Sequence, residues 1–155
     1  MTLQNTEGIN EEIRKVGCLF LSLVRIVELE VGSDFAPYQI NFIWNVAKKK
    51  SYIDRKLSCK NPDGIIKELF YLTTMPRRSF AQVGIEKQGK VVFWEWAKKA
   101  YANYKYKIEK VQTYGEIGTH FRLCDRDSHL IYDSYSFKKY DFKKIEEYTL
   151  YTEIK

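Results

Sequence analysis

Cysteine is scarce in this 155-residue chain, and none of it is paired in sequence. The three residues, Cys18, Cys59 and Cys124, are an odd number and contain no Cys-x-x-Cys pair. That excludes a disulfide framework and a zinc knuckle, and points to a reducing compartment with at least one free thiol. Long apolar runs are also missing, so no stretch reaches the length of a membrane span. Arg14-Lys15 followed by apolar residues 16–24 is the nearest approach to a leader. It has Glu7, Glu11 and Glu12 upstream, meets Arg25, and lacks a small-residue cleavage site. A lipoprotein reading of Val16-Gly17-Cys18 fails because the apolar stretch follows the cysteine. The expected location is the cytoplasm; an enzyme acting on the cell wall would need another route out. Repeats, low-complexity tracts and dividing linkers are absent. The expectation is one domain over 1–155, with residues 1–10 as a frayed arm.

What is present is a globular composition: 45% apolar, 30% charged, with twelve Tyr, nine Phe and three Trp. The aromatics either fill a core or line a groove for an extended ligand. The net charge of +6 favours anionic partners, whether nucleic acid, cell-wall polymer or acidic lipid, without choosing among them. Lys and Arg are scattered along the chain.

Apolar residues recur at helical spacing from Asn10 to Val31: Ile13, Val16, Phe20, Leu23, Val24, Val27 and Val31. Gly17 marks a bend or restart, which puts Cys18 in the first turn of the main helix. Pro37 opens a second helix to about Lys49, with Ile40, Ile43, Trp44 and Ala47 inward. Residues 51–59 are a short strand or loop. Asn61-Pro62-Asp63 starts a third helix over 62–72. The second half reads as strands. Phe80–Ile85 and Val91–Trp96 flank a Lys87-Gln88-Gly89-Lys90 turn, although a helix over 91–102 competes. Tyr104, Tyr106 and Ile108 alternate with polar residues, 119–124 and 129–134 flank a polar turn, and Tyr148, Leu150 and Thr152 form a last strand. Helices first and an antiparallel sheet afterwards define an α+β fold.

The chemistry concentrates in two places. Val16-Gly17-Cys18-Leu19-Phe20 opens the main helix, where unpaired backbone N–H groups favour a thiolate. If 119–124 and 129–134 pair around Arg126-Asp127, His120 falls opposite Asp133 and Cys124 opposite His129, with Phe121, Leu123, Leu130 and Tyr132 on the other face. A thiolate needs a base, and the base needs an orienting acid. The plainer readings are a cross-strand His–Asp pair on an exposed sheet and a buried, inert Cys18. Metal is the competing chemistry. The two cross-strand pairs lie roughly 13 Å apart at ~3.3 Å per residue, so one ion cannot hold His120, Asp133, Cys124 and His129. No metal and no cofactor is expected.

Helix-opening Gly17-Cys18, His120-Phe121 at a strand start and Tyr132-Asp133 at the next strand end resemble the papain-like cysteine peptidase superfamily, nearest its bacteriocin-processing-peptidase-like branch. The chain also resembles small uncharacterised bacterial and phage proteins with a Gly-Cys-x-Phe-x-x-Leu opening and a late His-Phe segment. The resemblance covers roughly residues 10–136. It implies a papain-like core, with Cys18 as nucleophile, His120 as general base and acid, and Asp133 as orienting acid. It also implies an amide-bond substrate in a peptide or peptidoglycan stem.

Papain-like enzymes often carry a Gln shortly before the cysteine to hold the oxyanion. Here Glu12 and Arg14 occupy that region, and Gln4 lies farther off. Arg14 or Asn10 would donate instead, beside the Cys18 N–H. Two other functions fit the sequence. One is a non-enzymatic binding module on the same fold with a degenerate site. The other is a basic nucleic-acid-binding protein, for which Tyr101, Tyr104 and Tyr106 interleaved with Lys99, Lys105 and Lys107 are the signal. Trp94 and Trp96, alternating as on a strand, either pack in the core or edge a groove.

Overall fold

A computed structural model describes residues 1–98 and 103–154. Lys99 and Tyr101 of the aromatic-basic pattern, and the end of the competing 91–102 helix, lie outside the described residues.

The first half is helical: α1 (Glu11–Val16), α2 (Cys18–Val31), α3 (Pro37–Lys49) and α4 (Pro62–Tyr71). Asn10 caps α1 by accepting the Ile13 N–H at 3.0 Å, and Asn61 caps α4 through the Gly64 N–H at 3.0 Å. Gly17 both ends α1 and precedes α2, so the expected restart is where the helix breaks. A Cβ at Gly17 would sit 2.5 Å from the Ile13 carbonyl oxygen, which makes this a glycine position for steric reasons although its φ of −86° is ordinary. The inward set expected for α3, Ile40, Ile43, Trp44 and Ala47, is buried throughout.

The second half is a six-stranded antiparallel sheet: β1 (Phe80–Lys87), β2 (Lys90–Phe93), β3 (Tyr106–Thr113), β4 (Thr119–Asp125), β5 (Leu130–Tyr132) and β6 (Phe142–Glu153), in the order β2-β1-β6-β3-β4-β5. The fold is α+β. The β1–β2 hairpin turns at Gln88-Gly89, both at positive φ, with Lys87 opposite Lys90. Strand β2 stops at Phe93. Glu95–Ala97 is a 3₁₀ turn, so Trp94 and Trp96 do not alternate on a strand and Trp96 is exposed. Residues 51–59 form a loop closed by a single Ile53–Cys59 bridge.

One core layer joins helices to sheet. Phe20, Leu23, Val24 and Val27 of α2 pack with Tyr106 and Ile108 of β3, Leu123 of β4 and Tyr132 of β5. The Phe20 and Trp44 rings meet edge to face at 5.0 Å. Each fully buried aliphatic or aromatic side chain here is worth about 1.5–3 kcal/mol, so the N-terminal end of α2 is fixed against the β4 side of the sheet.

The first residues are packed, not frayed. Thr2, Gln4 and Ile9 are buried. The Gln4 N–H donates to the Ser134 carbonyl at 3.1 Å, and the Tyr132 hydroxyl donates to the Thr2 carbonyl. The arm is held because its polar groups close the β5 end of the sheet, a long-range pairing that local composition does not encode.

Candidate functional site

The β4–β5 hairpin differs in register from the expected one. Its turn runs from Asp125 to His129, with the Asp125 carboxylate accepting the Asp127 and His129 N–H groups at 2.9 Å each and Ser128 left-handed at φ 68°. A bulge follows between Leu123 and Cys124. Leu123 therefore faces Tyr132 rather than Leu130, and Cys124 faces Leu130 rather than His129. Leu130 and His129 are exposed, and Cys124 is buried. Asp133 lies beyond the end of β5 and is not a directly opposed strand partner of His120.

The two side chains meet all the same. His120 Nε2 and Asp133 Oδ1 are 2.7 Å apart. The contact arises because the chain turns at Asp133: the Ser136 N–H donates to the Asp133 carbonyl at 3.0 Å, and the Tyr135 N–H donates to Asp133 Oδ1 at 2.8 Å. The Tyr140 hydroxyl donates to the other oxygen, Oδ2. Burial works against the Asp133 charge, but His120, the Tyr140 hydroxyl and the Tyr135 N–H together overcome it and its pKa is lowered. On the other side of the pair, Gly118 (φ 67°, ψ −131°) provides the bend from which β4 starts two residues before His120.

The His120 ring is fully buried. Tyr135 and Tyr140 flank it, with ring centroids at 4.9 and 5.3 Å. Nδ1 has no hydrogen bond of normal geometry among the described residues. The Cys18 sulfur is nonetheless close enough to act on the ring both as a hydrogen-bonding and as a charged neighbour. Since Nε2 is occupied by Asp133, Nδ1 is the nitrogen left for Cys18. Desolvation alone would lower the imidazole pKa; Asp133 and Cys18 overcome it and push it up to about 9.

Cys18 is 8% exposed and lines a cleft of about 460 Å³. No side chain caps the N-terminus of α2, where the cysteine sits. The cleft walls include Lys15, Lys56, Lys60, Lys110 and Tyr135. Cys59 also borders it, but burial, with smaller contributions from Cys18 and Asp54, raises its thiol to about 12. Cys124 is likewise pushed to about 12, first by burial and then by Glu109.

Sequence reasoning missed three residues around this centre: Tyr135, Tyr140 and Gln4. None carries a periodic or motif signal. Gln4, fourteen residues before Cys18, is brought to the end of α1. Its amide nitrogen donates to the carbonyls of Ile13 (3.2 Å) and Arg14 (3.1 Å), its oxygen accepts from the Ser134 hydroxyl, and its side chain hydrogen-bonds Tyr135. Neither Arg14 nor Asn10 lines the cleft that Cys18 borders. The Arg14 guanidinium donates to the carbonyls of Ile9 and Thr6 at 3.2 Å each, and the Asn10 oxygen is the α1 cap.

Asp125, Asp127 and His129 are the one group among the described residues with metal-ligand spacing. They sit on the exposed hairpin turn, and the Asp125 carboxylate is already engaged by that turn's N–H groups. Among the described residues no helix is long and apolar enough to cross a membrane.

An α+β fold that gathers a helix-opening cysteine, a buried histidine and a hydrogen-bonded aspartate defines the class of site. The chain matches the family described as "Protein of unknown function, DUF261" over residues 1–150, and it belongs to that family. No curated protein matches the chain. No solved structure matches it either.

Proposed function

We propose that the protein is a cysteine hydrolase that cleaves an amide bond in a peptide or peptidoglycan stem, on a papain-like core. The observation that carries the reading is the His120–Asp133 contact of 2.7 Å, which leaves the buried Nδ1 as the ring nitrogen available to the neighbouring Cys18. A His–Asp pair that served packing alone would have no need of a second buried nitrogen facing a thiol.

In this reading the Cys18 sulfur attacks the amide carbonyl while His120 holds the proton taken from the thiol. The tetrahedral intermediate collapses as His120 Nδ1 gives that proton to the leaving amine. Water, deprotonated by the same nitrogen, then releases the acyl group and restores the thiol. Asp133 fixes the ring and stabilises its charged form. The oxyanion falls to the Cys18 backbone N–H at the uncapped helix end and to the hydroxyl of Tyr135, a residue that lines the cleft and hydrogen-bonds the Gln4 side chain.

An activated ester of a short acyl group tests the nucleophile. The expected result is one acyl group on Cys18, found by mass spectrometry, and none on the Cys18→Ala protein. Acylation spread over lysines, with Cys18 unmodified, would contradict the proposal.

A further inference from the structure

Lysines that are scattered in sequence converge at the cleft. Lys15 lies in the last turn of α1, Lys56 and Lys60 stand on the 51–60 loop, and Lys110 lies on β3; all four line the cleft with Cys18, and among the described residues no acidic one does. Lys110 pairs with Glu146 at 3.2 Å and Lys60 loosely with Asp54 at 3.7 Å. Lys15 and Lys56 are exposed and make no ion pair among the described residues. A protein with 20 acidic residues has enough carboxylates to neutralise such a wall, and here they are kept out of it. A cleft lined by one sign of charge concentrates the opposite sign within it.

We infer that the cleft selects a peptide bearing carboxylates beside the scissile amide, with Lys15 and Lys56 as the residues that read them. This rests on the hydrolase reading and names its substrate class. Two features favour a carboxylate peptide over a nucleic acid. The nucleophile borders the same cleft, so the bound chain must present an acyl carbon there. The volume, about 460 Å³, suits a short segment of side chains and lies in the range of small-ligand pockets.

The experiment compares alkylation of Cys18 by anionic iodoacetate and neutral iodoacetamide, in the wild type and in the double variant Lys15→Gln/Lys56→Gln. Both lysines are exposed, so the variant keeps its fold. His120 is present in both proteins, so the difference reports the lysines alone. The expected iodoacetate-to-iodoacetamide ratio is about five- to ten-fold higher in the wild type, and it collapses in 0.5 M salt. A glutamate-rich heptapeptide should protect Cys18, and an oligonucleotide of equal charge should not.

A ratio unchanged by the double substitution overturns the inference and leaves the hydrolase reading standing. Protection by the oligonucleotide, alone or equally, overturns the assignment to a peptide. Failure of Cys18 to react even with iodoacetamide removes the hydrolase reading itself and the inference with it.

Discussion

Asp133 holds His120 through Oδ1 at 2.7 Å and is itself held from two sides, by the Tyr135 N–H at 2.8 Å on the same oxygen and by the Tyr140 hydroxyl on the other. The carboxylate therefore has one orientation, and so has the imidazole: Nε2 toward Asp133 and Nδ1 toward Cys18. Asp133→Asn should reduce turnover by at least about a hundred-fold, because the amide does not stabilise the charged ring. Tyr140→Phe leaves the charge in place and should cost about ten-fold. Equal effects of the two substitutions, measured as kcat/KM on one peptide, would mean that Asp133 acts only by filling space.

The pH dependence follows from His120. Its folded pKa, about 9, lies above the ordinary value of 6.5. The stability it contributes is therefore complete below pH 6.5 and is lost as pH rises through 9. At 1.36 kcal/mol per unit this is roughly 3 kcal/mol. Urea unfolding of the wild type and His120→Gln should show a gap that closes between pH 6.5 and 10. Hydrolysis should fall on the alkaline side near pH 9, as the proton needed by the leaving amine is lost.

Gly17→Ala tests the placement of the nucleophile. The added Cβ meets the Ile13 carbonyl oxygen at 2.5 Å, a backbone atom that cannot step aside cheaply. The expected cost is about 1–3 kcal/mol by thermal or urea unfolding, together with a loss of Cys18 reactivity larger than stability alone would produce. A fully stable, fully reactive variant would show that the α1–α2 break does not position the thiol.

Tyr135→Phe removes one proposed oxyanion donor while keeping the ring that packs on His120. It should lower kcat by about 10²–10³ with little change in KM and leave the alkylation of Cys18 nearly intact. A loss of alkylation instead would make Tyr135 a positioning residue for the thiol–imidazole pair.

Much of the frame is legible in the chain itself. The helical spacing on either side of Gly17 put Cys18 at a helix start, and the Gln88-Gly89 turn announced its hairpin. The His120–Asp133 neighbourhood was expected too, but by a different route. Sequence pairing supplies it from opposed strand positions; in the structure a bulge at Leu123/Cys124 shifts the register and a turn at Asp133 returns the carboxylate to the ring. The central position of β6 was hidden because its first half, Phe142–Glu147, is rich in charge and lacks clean alternation. Gln4 and the lysines of the cleft carry no local signal at all. Apart from Lys15, three residues before Cys18, they reach the site through the folding back of the N-terminal arm, the packing of the 51–60 loop and the placing of β3 in the sheet, which are long-range events.

The rate of Cys18 alkylation by iodoacetamide at pH 7, in the wild type and in His120→Asn, tests the central pairing most directly. Cys59 and Cys124, with thiols near 12, are internal controls. The account predicts that Cys18 reacts at least about ten-fold faster than either and that the substitution slows Cys18 alone. Uniformly slow labelling of all three cysteines, unchanged by the loss of the imidazole, would contradict it.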